Sequence, residues 1–135
     1  RPNTTPIRLQ PSQKFVETPR REGFGWTPEI GDYLKAAPGE TGVIRMPVRF
    51  LILNDDLALW AAPVELFCEI SMEIRARSPY GHTFYFGYAN GWFGYLATKA
   101  AFAEGGYEPR TSPFTDRAAE DLLRVVISTL QARGK

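Results

Sequence analysis

VIRMPVRFLILNDDLALWAAP, residues Val43–Pro63, is the stretch whose reading decides the fold. Val43–Leu53 is rich in β-branched and large apolar residues and stops at Asn54-Asp55-Asp56, a cluster of turn formers. Leu57–Ala62 resumes the apolar run, so the two segments predict an antiparallel hairpin. Pro47 has no backbone donor, and the first strand is therefore expected to lie at an edge or to begin after it. Pro63 stops the second strand and can open a helix. Leu66, Phe67, Ile70 and Ile74 then recur at helical spacing and give one apolar stripe. Glu69 and Glu73 share another face, and Glu73 can pair with Arg77 four residues on. Ser78-Pro79 is expected to end this helix, because the residue before a proline avoids helical geometry. His82–Tyr88 reads as a third strand. Strand, helix and strand in succession imply a right-handed βαβ crossover. The fold class that follows is α/β, a small mixed sheet made of a hairpin plus a βαβ crossover, with helices packed on it.

On the amino-terminal side, residues 1–42 read as an irregular Pro/Gly-rich arm preceding an α/β domain of residues 43–135. Prolines at 2, 6, 11, 19, 28 and 38 each remove a donor, so long regular elements are not expected there. Thr27–Lys35, with Pro28 at its first position, is the one helical turn expected in the arm. On the carboxyl side, Thr98–Glu104 predicts a short helix closed by Gly105-Gly106. Ala119, Leu122, Leu123, Val126, Ile127 and Leu130 make the stripe of a final helix, with Thr115 or Asp116 as its cap and Gly134 after its end.

The chain has 135 residues, about one domain's worth. Sixteen basic against fifteen acidic residues leave a net charge of +1. That balance gives no support for nucleic-acid binding, which needs a clustered basic excess. No apolar run approaches the roughly 20 residues of a transmembrane helix. One cysteine, Cys68, rules out an intrachain disulfide, and its expected place is the core as an inert thiol. The single histidine, His82, nearly excludes a zinc site built from this chain's His and Cys alone. The chain opens at Arg1 with no initiator methionine, which reads as a processed product or an excised piece of something longer.

Function is concentrated in Gly87-Tyr88-Ala89-Asn90-Gly91-Trp92-Phe93-Gly94-Tyr95. Three glycines among four large aromatic residues suit a backbone that turns tightly while rings line a pocket. Tyr88, Asn90 and Trp92 are the candidate substrate contacts. Asn90 suits either a left-handed backbone conformation or donation to a substrate. The segment follows a strand and belongs at its carboxyl end, where open α/β sheets place ligands. Glu65, expected in the first turn of the first helix, has two readings. It complements the helix dipole, or it is a carboxylate at the sheet edge, available as a metal ligand or general base. Tyr95 is a packed ring or a phenolate ligand. Parallel strands feeding the two residues would bring them to one edge. His82, at the opposite end of its strand from Asn90, reads as a surface or structural residue.

Several ordered pieces resemble the neutral/alkaline, non-lysosomal ceramidase family. Leu57-Ala58-Leu59-Trp60-Ala61-Ala62-Pro63-Val64-Glu65 is similar to the family's strand leading into Pro-Gly-Glu. Arg77-Ser78-Pro79, His82-Thr83 and Gly87-Tyr88-Ala89-Asn90-Gly91 resemble its next strand. Gly94-Tyr95-Leu96-Ala97-Thr98 resembles its Gly-Tyr-Ile-Pro-Thr, and Ala101-Phe102-Ala103-Glu104-Gly105-Gly106-Tyr107-Glu108 completes the set. The resemblance runs from about residue 42 to 132 and looks like the carboxyl-terminal part of a catalytic region. It implies a zinc-dependent amidohydrolase acting on an N-acyl amide or lipid, with one zinc held by a glutamate, a tyrosine and two upstream histidines. By motif these are Glu65 and Tyr95, with both histidines outside this chain, in the upstream catalytic region of a parent protein. It also implies that the isolated chain binds zinc weakly and is inactive, and it leans toward export. Val64 stands where the family usually has glycine and Ala97 where it usually has proline, changes that alter backbone freedom beside the two residues. The reading from a different class is a non-catalytic binding or assembly module with an aromatic ligand-binding edge.

Overall fold

The computed structural model describes residues 6–23 and 42–134. The hairpin forms as the sequence predicts: β2 (Val43–Leu53) and β3 (Leu57–Ala61) pair antiparallel, with Leu53 opposite Leu57 and Arg49 opposite Ala61. Asn54 and Asp55 take φ of 51° and 64°, the mirror-image turn whose twist matches a two-stranded ribbon. The turn is held from outside, since the Arg8 amide donates to Asn54 Oδ1 at 2.7 Å and Arg8 pairs with Asp55.

Leu9–Pro19, expected to be irregular, is strand β1, paired antiparallel with β2 along all eleven residues. The sheet order β1-β2-β3-β5, in which β5 is His82–Phe86, puts it at an edge, where the donors missing at Pro11 and Pro19 are tolerated. Its period was hidden because Gln10, Ser12 and Lys14 occupy inward positions and only Val16 and Thr18 are fully buried. Pro47 lies within β2, an internal strand, so the strand neither lies at the sheet's edge nor begins after it. The β2–β3 pairing starts only at Arg49, so at Pro47 the strand has one neighbour, β1. The helical turn expected over Thr27–Lys35 lies outside the described residues.

The crossover is present. β5 (His82–Phe86) runs parallel to β3, with Leu57 opposite His82 and Ala61 opposite Phe86. Helix α1 (Cys68–Arg77) lies between them and stops at Ser78, whose ψ of 139° before Pro79 is extended. The expected Glu73–Arg77 pair forms at 2.9 Å. The helix does not start at Pro63. Glu65–Leu66 is instead a short strand, β4, paired in parallel with β6 (Tyr95–Leu96), and the Glu65 and Phe67 amides donate to the Gly94 and Leu96 carbonyls at 2.9 and 3.1 Å. Those bonds hold the segment extended, so Leu66 and Phe67 pack on the core from outside the helix while Ile70 and Ile74 fill it from within. Cys68 is exposed at the helix start, not buried, because the stripe through Ile70 and Ile74 faces away from it.

Helix α2 (Lys99–Glu104) is capped by Thr98, whose hydroxyl accepts from the Ala101 amide at 3.1 Å, and it closes on Gly105 at φ 81°. A short helix α3 (Tyr107–Thr111) forms where the sequence Gly105-Gly106-Tyr107-Glu108 reads as a turn. Helix α4 (Ala118–Arg133) buries its predicted stripe, with Leu123 only partly covered. Neither Thr115 nor Asp116 is its cap; Arg117 holds that position without a side-chain bond, and the Ala118 amide donates to the Thr115 carbonyl. Arg21 ties the exit of β1 to α3, donating to the carbonyls of Pro109 at 2.7 Å and Arg110 at 2.9 Å.

The core lies between one sheet face and helices α1 and α4. Val16, Ile44, Met46, Val48, Phe50, Ile52, Ala58 and Trp60 all point to that face. Trp60 is 1% exposed and its ring lies 4.4 Å from that of Tyr85. Trp60→Ala is expected to lower the stability of the chain by about 3–5 kcal/mol through lost burial and the cavity left behind. Urea unfolding measures this, and Lys14→Ala on the exposed edge strand is expected to change stability by less than about 0.5 kcal/mol.

Candidate functional site

Beyond the ends of β3 and β5 the backbone of 62–66 is gripped by the segment 87–96. The Ala62 amide donates to the Phe86 carbonyl at 3.2 Å, and the Ala89 amide returns a bond to the Ala62 carbonyl at 3.2 Å. Phe93 donates to the Pro63 carbonyl at 2.6 Å and Tyr88 to the Val64 carbonyl at 3.2 Å. The Tyr85 hydroxyl reaches the same Val64 carbonyl at 2.7 Å. Buried Phe93 anchors the turn in the core.

Such a tight path has a conformational cost. Tyr88 and Asn90 adopt φ of 52° and 63°, in the left-handed region, where residues with a Cβ are strained. Gly94, at φ 83°, presents the carbonyl that the Glu65 amide binds, and a residue with a Cβ would be strained there. Asn90 thus takes the left-handed backbone that one of its two readings gives it.

This clasp brings Glu65 and Tyr95 together. They are direct register partners in the parallel β4–β6 pair. Glu65 is not in a helix, which removes the helix-dipole reading; its carboxylate is exposed beside the ladder. Tyr88, expected as a substrate contact, donates its hydroxyl to Glu65 Oε2. The half-buried Tyr95 ring meets Tyr107 edge-on, centroids 5.9 Å apart. Buried Ser112 donates to the Tyr95 carbonyl at 2.8 Å and so fixes β6 against the end of α3. Trp92 and Tyr107 are both exposed at this end of the molecule. Tyr107 was hidden in the sequence by the glycine pair before it, which reads as a turn. His82 is at the other end of β5, 3.9 Å from Asp56, and takes no part. Among the described residues no group of three or more His, Cys, Asp or Glu side chains converges as a metal cage.

Glu65 acts on all three tyrosines around it, in each case raising the phenol. Tyr88 is pushed up to about 12, first by its hydrogen bond to Glu65, then by desolvation and by the charges of Glu65 and Tyr95, with a bond to Trp92 opposing. Tyr95 is also raised, by desolvation and then by Glu65, Tyr107 and Glu108. Burial, with Tyr88 and Glu65 behind it, raises Tyr85 as well. Tyr88 and Tyr95 are therefore both protonated at neutral pH.

No protein-family model matches the chain, and no curated protein matches it. Solved structures share its fold, two ceramidases among them. A neutral ceramidase from Pseudomonas aeruginosa superposes with a TM-score of 0.59 at 21% identity, over 74% of this chain and 16% of that one. A ceramidase complexed with C2 superposes with a TM-score of 0.65 at 16% identity, over 93% of this chain and 30% of that one. The chain thus spans less than a third of either structure, and at this identity the likeness is one of fold.

Glu65→Gln is expected to bring the Tyr88 ionisation down from about 12 toward the ordinary 10.0, because the carboxylate is what favours the neutral phenol. Ultraviolet titration of tyrosinate, wild type against variant, reads the shift. A tyrosine raised in the folded state adds stability below its unfolded value and loses it as pH climbs through the folded one. Stability is therefore expected to fall between pH 10 and about 12, and less steeply in Glu65→Gln.

Proposed function

We propose that this chain supplies part of the active site of a ceramidase-like, zinc-dependent amide hydrolase. Glu65 and Tyr95 act as its two oxygen ligands. The observation that carries the reading is their pairing across β4 and β6, which sets a carboxylate and a phenol side by side.

These residues fit part of a zinc shell. Carboxylate oxygen is an ordinary zinc donor, and a catalytic site takes three protein ligands or more. Among the described residues no three His, Cys, Asp or Glu side chains converge, and the two histidines that the resemblance places in an upstream catalytic region complete the shell. Zinc in such a site polarises an amide carbonyl and lowers the pKa of water toward about 7.

The chain's own groups then have separate tasks. Tyr88 holds one carboxylate oxygen of Glu65 and leaves the other free to ligate. Tyr95 is protonated at neutral pH, so engaging a cation requires it to release a proton. Trp92 and Tyr107 offer exposed rings beside the carboxylate, a wall for the acyl part of a lipid or other N-acyl amide. Val64, in place of the family's usual glycine, is buried with its carbonyl doubly bonded, and the Glu65–Tyr95 pairing stands beside it. The same exposed rings favour a second reading, a non-catalytic module that binds a ligand at its aromatic edge.

Zinc analysis of the full-length parent protein separates the two. Glu65→Ala is expected to abolish bound zinc and amidase activity while circular dichroism is unchanged; full zinc occupancy in the variant would refute the ligand role. Tyr88→Phe is expected to weaken zinc binding by about 10–100-fold, the usual loss when a group orienting a ligand is removed. Competition with a zinc-chelating dye measures it.

A further inference from the structure

The sheet has a second apolar face, opposite the core. In the register of β1, β2, β3 and β5, Leu9, Leu53, Leu57 and His82 form one row on that side, and Pro11, Leu51, Leu59 and Phe84 form the next. Phe86 continues the side beyond Phe84. Phe84 and Phe86 are 54% and 52% exposed, and the four leucines of β2 and β3 are only partly buried. Their chain neighbours on the inner side, Phe50, Ile52, Ala58 and Trp60, are at most 3% exposed. β5 ends the sheet order, so among the described residues its outer backbone edge pairs with no strand.

We propose that this outer face is an internal packing surface, covered by an apolar protein layer from the same, longer polypeptide. A sheet that is apolar on both faces belongs in the middle of a layered body; a sheet that faces water alternates apolar with polar residues. Among the described residues, the arginines on and around the face already have partners within the chain. Arg45 lies 4.1 Å over the Phe15 ring and 3.6 Å from Glu17, Arg49 donates to Gln13 at 3.1 Å, and Arg8 pairs with Asp55. An anionic membrane surface calls for free cations around an apolar patch, so this arrangement favours protein over lipid. The two ceramidase structures carry this fold within a much longer chain, of which it makes 16% and 30%. The inference rests on the part of the functional reading that makes the chain a segment of a larger protein, and is independent of zinc.

Photo-cross-linking in the full-length gene product tests it. Phe84→p-benzoylphenylalanine and, separately, Phe86→p-benzoylphenylalanine change exposed rings and leave the core intact. After irradiation, mass spectrometry is expected to find either position joined to a peptide of the same polypeptide outside these 135 residues. The same probe at Met72, 54% exposed on α1, is expected not to join that peptide. A cross-link only to a second copy, to lipid or within the 135 residues would overturn the inference, as would none at either position. Adding Glu65→Ala separates the two readings, since loss of zinc with the cross-link retained supports both, and retained zinc refutes the metal reading alone.

Discussion

Everything at the functional end of this protein depends on where the backbone groups of Ala62, Pro63 and Val64 find partners. These residues leave a finished sheet and are buried, and buried carbonyls need donors. The donors come from Tyr88, Ala89 and Phe93, and from the Tyr85 hydroxyl. Once that exchange is made, the chain at Glu65 lies against Gly94 and Tyr95, and a two-residue parallel pair follows. The carboxylate and the phenol are neighbours because of a main-chain ladder, and their own attraction has little part in it.

The sequence was most legible where local chemistry and tertiary packing agree. Val43–Leu53, the Asn54-Asp55-Asp56 turn and the end of α1 at Pro79 are each dictated by residues within a few positions. The parallel pairing of β3 and β5 followed from order alone. Legibility failed where distant partners override local preference. Leu9–Pro19 becomes a strand because β2 offers a complete ladder, although two of its own residues are prolines. Glu65–Phe67 has helical spacing but stays extended, because Gly94 and Leu96 accept its amides. Cys68 is exposed for the same reason: once the helix starts three residues after Glu65, its apolar stripe turns elsewhere.

At the candidate site the sequence points to residues, and the structure adds the contacts between them. Glu65 and Tyr95 were singled out from their place at strand ends, and the structure sets them side by side. Tyr88 reads in the sequence as a substrate contact, and the structure adds its hydroxyl bond to Glu65, which no spacing rule could show. Tyr107 joined the site through a helix in a stretch that looked like a turn. The shared fold with ceramidases adds architecture to this picture, and the chemistry rests on the arrangement of the side chains themselves.

The left-handed backbone at Tyr88 and Asn90 has a consequence for how the molecule breathes. Each such residue stores on the order of 1–3 kcal/mol, released whenever its segment lets go. The hairpin of β2 and β3 carries no comparable burden outside its tight turn. Sub-global opening should therefore begin at 87–95, with the rest of the sheet still closed. Amide exchange would register Tyr88 and Phe93 long before Phe50 or Trp60, and each opening would part Glu65 from Tyr95 for its duration.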